Sequence, residues 1–524
     1  MPPSSGRSAA LVGAGIFLSR VAGFIRQRVF SHYLGLYEQM DAVMGAFRIP
    51  NLLQNLFGEG ALSASFIPVY ARLVGQGEEE RAGKVAGAVL GLLAFVVALI
   101  VLAGVFFTPI FVSVLVPGFT GHLRLLTISI VRVLFPATGL LVLSAWCLGI
   151  LNSHRKFFVS YAAPVVWNAA IIVSTIWAAL TPGRTLDSLA MWIAWAAVIG
   201  SFLQLAVQLP AVAMVIRGFR LSVRTTVPEV RTVVRNFWPA LLGRGANQIS
   251  AFVDGQIASF LGRGAVGALS NAQLVYTLPV SLFGMAVSAA ELPAMSAEQG
   301  SDEVRHAALR QRLEDGLHRI AFFIVPCTVG FIALGQVVSA GAFQTGRFTA
   351  ADSRYVWAIL AGSSVGLLAT TMGRLTSSTF FALGDTRTPL RYAALRVGLS
   401  IALGVFAALL LPPLLDIESR WGAVGLTMAS GFAGWLEFLL LRRRLTGIIG
   451  LARLAPQYMV RLWAAALVAA GAGWTILLVA DGRLGPLTAV AAVLGPYAAI
   501  YGMLTLVFRI PTAQAILARV RRRG

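Results

Sequence analysis

The sequence predicts an all-α polytopic membrane protein of fourteen transmembrane helices, arranged as two six-helix lobes around a central cavity with two additional C-terminal helices. Three observations predict it. Hydrophobic residues make up 57% of the 524 residues and charged residues 12%, whereas a soluble domain carries about 25% charge. Apolar stretches of roughly 20 residues, long enough to cross about 30 Å of hydrocarbon as helices, recur along the whole chain. The basic residues concentrate in alternate connectors, as the positive-inside rule requires.

The spans are expected at 8-30, 41-70, 84-108, 124-150, 158-180, 189-216, 235-260, 267-296, 317-340, 354-381, 389-411, 422-441, 458-480 and 484-509. The first contains Arg20, Arg26 and Arg28 and ends in no small-residue cleavage site, so it reads as a spanning helix and not as a signal peptide. The second and eighth are the least apolar, being long, polar and interrupted by proline. With the N-terminus cytoplasmic, 27 of the Lys and Arg residues fall in connectors on that side, including Arg155, Lys156, Arg442, Arg443 and Arg444. Seven fall on the other: Arg124, Arg184, Arg263, Arg347, Arg354, Arg420 and Arg483. Losing one span would scramble this alternation downstream. A multi-pass protein of the bacterial cytoplasmic (inner) membrane, with both termini cytoplasmic, is expected.

The two halves echo each other at an offset near 228 residues. Phe57-Gly58-Glu59-Gly60-Ala61, followed by Pro68, matches Phe283-Gly284-Met285-Ala286-Val287, followed by Pro293. Ser31-His32-Tyr33-Leu34-Gly35 matches Ala258-Ser259-Phe260-Leu261-Gly262, and Gly118-Phe119-Thr120 matches Arg347-Phe348-Thr349. The common order and spacing imply two copies of a six-helix unit. Residues 1-216 form an N-terminal lobe, 217-441 a C-terminal lobe, and 442-524 two additional helices with a basic cytoplasmic tail. An even number of spans gives both copies the same orientation, with their axis along the membrane normal, an arrangement used by transporters.

A net charge of +21 does not point to nucleic acid here, because the basic residues sit between apolar runs. Cys147 and Cys327 lie in apolar runs and read as packing residues, and the five histidines show no metal-ligand spacing. No phosphate-loop motif is present, so ATP is not the direct drive, and the sequence calls for no cofactor and no enzymatic site.

Eight basic residues fall inside spans: Arg20, Arg26, Arg28, Arg48, Arg132, Arg244, Arg374 and Arg396. A charge at membrane depth costs several kcal/mol by most scales and should face protein or water. Snorkelling near a helix end accounts for Arg28, Arg132 and Arg396, but Arg20 and Arg48 have apolar residues on both sides. Spans one and two hold the densest set, adding Asp41, Gln54, Asn55 and Glu59. On an ideal helix Arg26 points about 120° away from Arg20, so a common target requires a bend, for which Gly23 is the candidate. In the seventh span Arg244, Asn247, Ala251 and Asp254 share one face. Arg244 and Asp254 are about 15 Å apart along the axis and do not simply pair. The stripe is expected to line the cavity from the second lobe, and Glu291 is a further candidate proton or cation site. Helix-to-helix hydrogen bonding is the plainer reading of the stripe. An arginine-rich cavity suits an anion, since guanidinium holds phosphate with two parallel hydrogen bonds.

The stretches SRVAGFIRQ (19-27), DAVMGAFRIPNLLQNLFGEGALSASFIPVY (41-70), VPGF (116-119), QTGRFTA (344-350) and FFALGDTRTPLR (380-391) together resemble the MurJ/MviN lipid II flippase family of the multidrug/oligosaccharidyl-lipid/polysaccharide exporter superfamily. The resemblance covers nearly the full chain. It implies movement of an undecaprenyl-diphosphate-linked peptidoglycan precursor from the cytoplasmic to the outer leaflet, with membrane lipids, a coupling ion and wall-synthesis enzymes as partners. It also implies that Arg20, Arg26 and Asp41 are charged cavity residues, that Arg48 holds a basic position and that Glu59 falls on a conserved acid. Two departures stand out: Gln54 replaces an arginine common after PNLL, and Gln273 and Leu274 replace an Asp-Arg pair common in the eighth span. Arg244 would then supply the second lobe's cation. The rival readings are an exporter of another polyprenyl-linked saccharide, a drug or small-molecule antiporter of the same superfamily, and a non-transporting scaffold.

Overall fold

The computed structural model describes residues 5–222, 227–298, 301–480 and 482–521, with side chains described for all of these except 5–13, 58–60, 240, 242–251 and 519–521. The side chains of Glu59, Arg244, Asn247 and Ala251 therefore lie outside the described residues. Among the described residues the structure is helical throughout, with no strand.

The chain divides into two compact units, residues 1–259 and 260–524. The first runs α1 (Ser5–Leu34), α2 (Glu38–Leu53), a π-helical segment (Gln54–Leu62), α3 (Ser63–Ser65), α4 (Ile67–Gly75), α5 (Glu79–Phe106), α6 (Thr108–Leu115), α7 (Gly121–Ser153), α8 (Phe157–Leu180), α9 (Leu186–Ala213) and α10 (Pro228–Ser259). The second runs α11 (Ala265–Pro279), a π-helical segment (Val280–Met285), α12 (Ala286–Ser296), α13 (Asp302–Ala333), α14 (Gly335–Phe343), α15 (Ala350–Ser364) and α16 (Leu367–Ala382). It continues through α17 (Arg387–Val405), a third π-helical segment (Phe406–Leu410), α18 (Leu411–Leu414), α19 (Gly422–Ile449), α20 (Pro456–Ala480), α21 (Pro486–Val507) and α22 (Pro511–Arg521). Four helices, α10, α20, α21 and α22, open on a proline, whose fixed φ and missing N–H suit the first helical turn. Gly384 and Gly450 follow α16 and α19 at φ +81° and +86°, where a side chain would be strained.

Among the described residues ten helical runs are long and apolar enough to cross a bilayer. The pair α15 and α16, bent by 41°, makes an eleventh. The other three expected spans, α1, the α2–α4 run and α10, are helical, and with them the count reaches fourteen. The sequence ranks the second and eighth spans as least apolar. The eighth, α11 to α12, is nevertheless apolar enough to cross a bilayer.

The internal duplication is visible element by element. Both FG stretches sit in π-helical segments, Gln54–Leu62 and Val280–Met285, each just after a proline in the preceding helix, Pro50 and Pro279. Proline breaks the i to i−4 ladder, and a widened turn is one way to continue the helix past it. Short helices α6 and α14 recur at matching places, and each is followed by a threonine at the next helix start, Thr120 and Thr349. Thr349 forms a full capping box with Asp352.

In the first unit the core lies between α5 (Val85, Val89, Leu93) and α7 (Val142, Trp146, Ile150), closed by Phe66 and Tyr70. In the second it lies between α13 (Leu317, Ile320, Ile324) and the two additional helices through Leu462, Ala466 and Tyr501. The tyrosines Tyr458, Tyr501 and Tyr497 donate their hydroxyls to the carbonyls of His318 (2.8 Å), Phe322 (2.6 Å) and Pro326 (2.6 Å), successive turns of α13. Pro326 has no N–H to give Phe322, so Tyr501 satisfies the carbonyl that this proline orphans.

Candidate functional site

The charged residues of α1, α2 and α10 come together in the first unit, though not in the way their spacing suggests. α1 runs unbroken from Ser5 to Leu34, so Gly23 introduces no break in it. Arg20 and Arg26 therefore stay on different sides of the helix. Arg20 is exposed, while Arg26 is half-buried against α2 and α8.

Arg26 sits in an aromatic cage. Its guanidinium carbon lies 4.8 Å from the ring centre of Trp167 and 5.8 Å from those of Phe30 and Phe47. Ring faces carry negative potential and attract a cation, by about 2 kcal/mol or more when water is excluded. Trp167 is itself fixed, because its indole N–H donates to the Ala197 carbonyl at 3.2 Å. Arg26 Nε is buried with no hydrogen-bond partner among the described residues, so the cage holds the charge without using up the donors.

Arg48 on α2 has a different environment. Asp254 and Asp41 are the carboxylates that act on its charge, and Asp41, in the first turn of α2, is wholly buried. A Cβ at Gly255 would land on the Arg48 guanidinium, so this glycine is what lets the side chain reach α10. One Nη of Arg48 is buried without a hydrogen-bond partner among the described residues. α10 is fastened close by: Gln256 Nε2 donates to the Val114 carbonyl at 2.5 Å, and Ser259 Oγ accepts from the Gly118 N–H at 2.9 Å. Asp254 thus faces a first-unit arginine, and α10 packs on the first unit's π-helical segment, α3, α5 and α6. The sequence places this stripe in the second lobe. Gln54 is half-buried at the start of the π-helical segment.

Several acids of the second unit are ion-paired. Glu291 is buried and lies 3.2 Å from Arg319 and 3.6 Å from Arg312, which also holds Glu298 at 2.6 Å. It is one member of a charge network. Arg396, which snorkelling would explain, is paired with Glu437 across α17 and α19 at 2.9 Å. Gln273 and Leu274 are half-buried on α11.

The aromatic partners Phe47 and Trp167 escape sequence reasoning because they come from other helices. Phe30, four residues after Arg26, is the one local signal for the cage.

A family model described as "Lipid II flippase MurJ" matches residues 30–494. The chain belongs to the MurJ lipid II flippase family. Among MurJ relatives, a "Probable lipid II flippase MurJ" of Rhizobium tropici is 30% identical over 440 residues, 83% of this chain and 80% of that protein. A "Lipid II flippase MurJ" of Burkholderia cenocepacia is 29% identical over 479 residues, 89% of each chain. In fold, the chain is similar to a solved structure of a lipid II flippase MurJ in an inward closed conformation. The TM-score is 0.78 at 21% identity, covering 95% of this chain and 98% of that one. An inward-facing multidrug resistance MATE family transporter of the MOP superfamily matches with a TM-score of 0.64 at 19% identity, over 82% of this chain and 95% of that one. The MurJ family thus carries this fourteen-helix fold, and its membership makes the chain a multi-pass protein of the bacterial inner membrane.

Proposed function

We infer that this chain is a lipid II flippase, a transporter and not an enzyme, which moves the undecaprenyl-diphosphate-linked peptidoglycan precursor from the inner to the outer leaflet by alternating access. Family membership across residues 30–494 carries this reading. Its finer parts are our own. Arg20, Arg26 and Arg48 bind the diphosphate, with Asp41, Gln54 and Glu59 around them and Arg244, Asn247 and Asp254 contributed by α10. The lobes follow the sequence repeat, 1-216 and 217-441, with 442-524 appended. Cation–π contact holds Arg26 by its faces and leaves its edge to donate, a geometry suited to phosphate oxygens. A coupling ion, or the membrane potential itself at about 2.3 kcal/mol per charge per 100 mV, supplies the drive. Contacts with wall-synthesis enzymes belong to the same reading.

The test is binding and flipping by purified protein in proteoliposomes, with undecaprenyl diphosphate lipid beside a monophosphate control, with and without an imposed potential. Wild type should prefer the diphosphate and flip only under the potential. Arg20→Ala, Arg26→Ala and Arg48→Ala should each lose roughly ten- to a hundred-fold in affinity while still inserting in the membrane. Equal binding by all three variants and wild type would overturn the site assignment. Absence of diphosphate-lipid binding by wild type would overturn the function.

A further inference from the structure

The second unit holds a charge cluster at membrane depth that the reading above leaves unused. Arg396 on α17 and Glu437 on α19 pair there, with Arg374 on α16 close enough to act on the charge of Glu437, and Tyr276 on α11 and Thr370 on α16 nearby. Arg396 Nε lies 2.9 Å from Glu437 Oε2. Arg374 lies within electrostatic range of both Glu437 and Tyr276, and the Tyr276 hydroxyl is hydrogen-bonded to Thr370. Arg374 follows the start of α16 by seven residues and precedes its end by eight. Arg396 follows the start of α17 by nine, about 13 Å along the axis. Neither position is a helix end, so neither charge is there by snorkelling alone.

The composition of the cluster is unequal. One guanidinium pairs with the carboxylate and a second lies within electrostatic range of it, so the cluster carries one surplus positive charge. Glu437 is only partly buried, with 18% of its side chain exposed, and Arg396 has 30% exposed. Arg374 is exposed and makes no ion pair among the described residues. A structural ion pair inside a membrane protein is expected to be neutral and closed. This one is charged and open, and Arg396 Nε, though close to Glu437, is without an aligned hydrogen bond.

We propose that Arg374 and Arg396 form an oxyanion site in the second unit and that Glu437 is its internal stand-in, a carboxylate that occupies the arginines until an anionic group of the substrate displaces it. The ligand chemistry is a phosphate or carboxylate oxygen pair, which two guanidiniums can grip through parallel hydrogen bonds. The site makes up for Gln273 and Leu274, one turn before Tyr276 and uncharged. The proposal rests on the lipid-linked substrate inferred above.

Two probes separate the sources of the anion: undecaprenyl diphosphate, which carries only the diphosphate, and a lipid-free muramyl pentapeptide, which carries only carboxylates. Binding of each to purified full-length protein is measured for wild type, Arg374→Gln, Glu437→Gln and the charge-balanced double variant Arg396→Gln with Glu437→Gln. Displacement predicts opposite signs. Glu437→Gln should tighten one probe several-fold, because the competing carboxylate is gone. Arg374→Gln should weaken that same probe roughly tenfold, and the double variant should bind no better than wild type. The probe that responds identifies the group. Weaker or unchanged binding of both probes by Glu437→Gln, with Arg374→Gln equal to wild type, would overturn the proposal and leave a structural pair. The double variant keeps charge balance, so its melting temperature shows whether any loss comes from misfolding. If wild type binds neither probe, it is the flippase reading that fails.

Discussion

A guanidinium at membrane depth needs a partner, and Arg26 and Arg48 have found different kinds. Arg26 is held by the faces of Trp167, Phe30 and Phe47, which stabilise the charge yet leave its in-plane donors available. Arg48 is held by charge, between Asp41 and Asp254, and by space, since only the missing side chain of Gly255 admits it. The second arrangement makes a prediction that a list of charged residues could not. Gly255→Ala adds one methyl where the guanidinium lies, so it should displace Arg48 and lower flipping roughly tenfold, as the loss of one charged hydrogen bond would. Gly23→Ala has nothing within 4 Å of the added carbon and lies inside an unbroken helix. It should flip normally and hold its helix as well or better, by up to about 1 kcal/mol. Both are read in the same proteoliposome assay with a melting curve beside it. Normal flipping by Gly255→Ala would mean that the guanidinium has room to move and that the glycine does not set its position.

At the scale of the helix, prolines and the groups that repair them explain much of the architecture. Pro326 leaves the Phe322 carbonyl without its helical donor, and the Tyr501 hydroxyl fills the vacancy at 2.6 Å. In a bilayer no water can do this job, so the additional helix α21 is joined to α13 by more than apolar packing. Tyr501→Phe keeps the ring and removes only the donor. It should destabilise the protein by about 1 to 3 kcal/mol, seen as a lower melting temperature in detergent, with flipping preserved at low temperature. Tyr70→Phe, whose hydroxyl meets a half-exposed His154 at 3.0 Å, should shift melting less, because water can replace that partner. An equal effect of the two changes would refute the repair argument. The helices themselves were legible from hydropathy and charge, and the matched FG stretches located both π-helical segments. The site was less legible. Sequence order places Asp254 in a stripe on the seventh span but does not say which helices α10 packs on, among them α3, α5 and α6. The ion pairs of Glu291 were not legible because Arg312 and Arg319 lie on the next long helix, 21 and 28 residues away. Periodicity along one helix cannot report a partner on another.

At the scale of the whole molecule, the count of fourteen rests on three charge-bearing helical runs: α1, α2–α4 and α10. They carry Arg20, Arg26, Arg48, Asp41 and Asp254. Such helices can span only where neighbouring helices cover the charged face, as α8 and its Trp167 cover Arg26. If α10 did not cross, every later connector would change sides, and the strongly basic connector at Arg442, Arg443 and Arg444 would lie outside. That is the arrangement the positive-inside rule opposes. Single cysteines test it directly, because Cys147 is buried and Cys327 partly so. In intact cells a membrane-impermeant maleimide should label Arg347→Cys and Glu418→Cys but not Arg155→Cys or Arg444→Cys. All four should label once the membrane is opened, since all four positions are exposed. Labelling of Arg155→Cys and Arg347→Cys from the same side would remove an odd number of spans between them, and α10 is the helix whose loss would do so. In that case Asp254 could not reach Arg48 at membrane depth, and the first-unit site would have to be rebuilt without it.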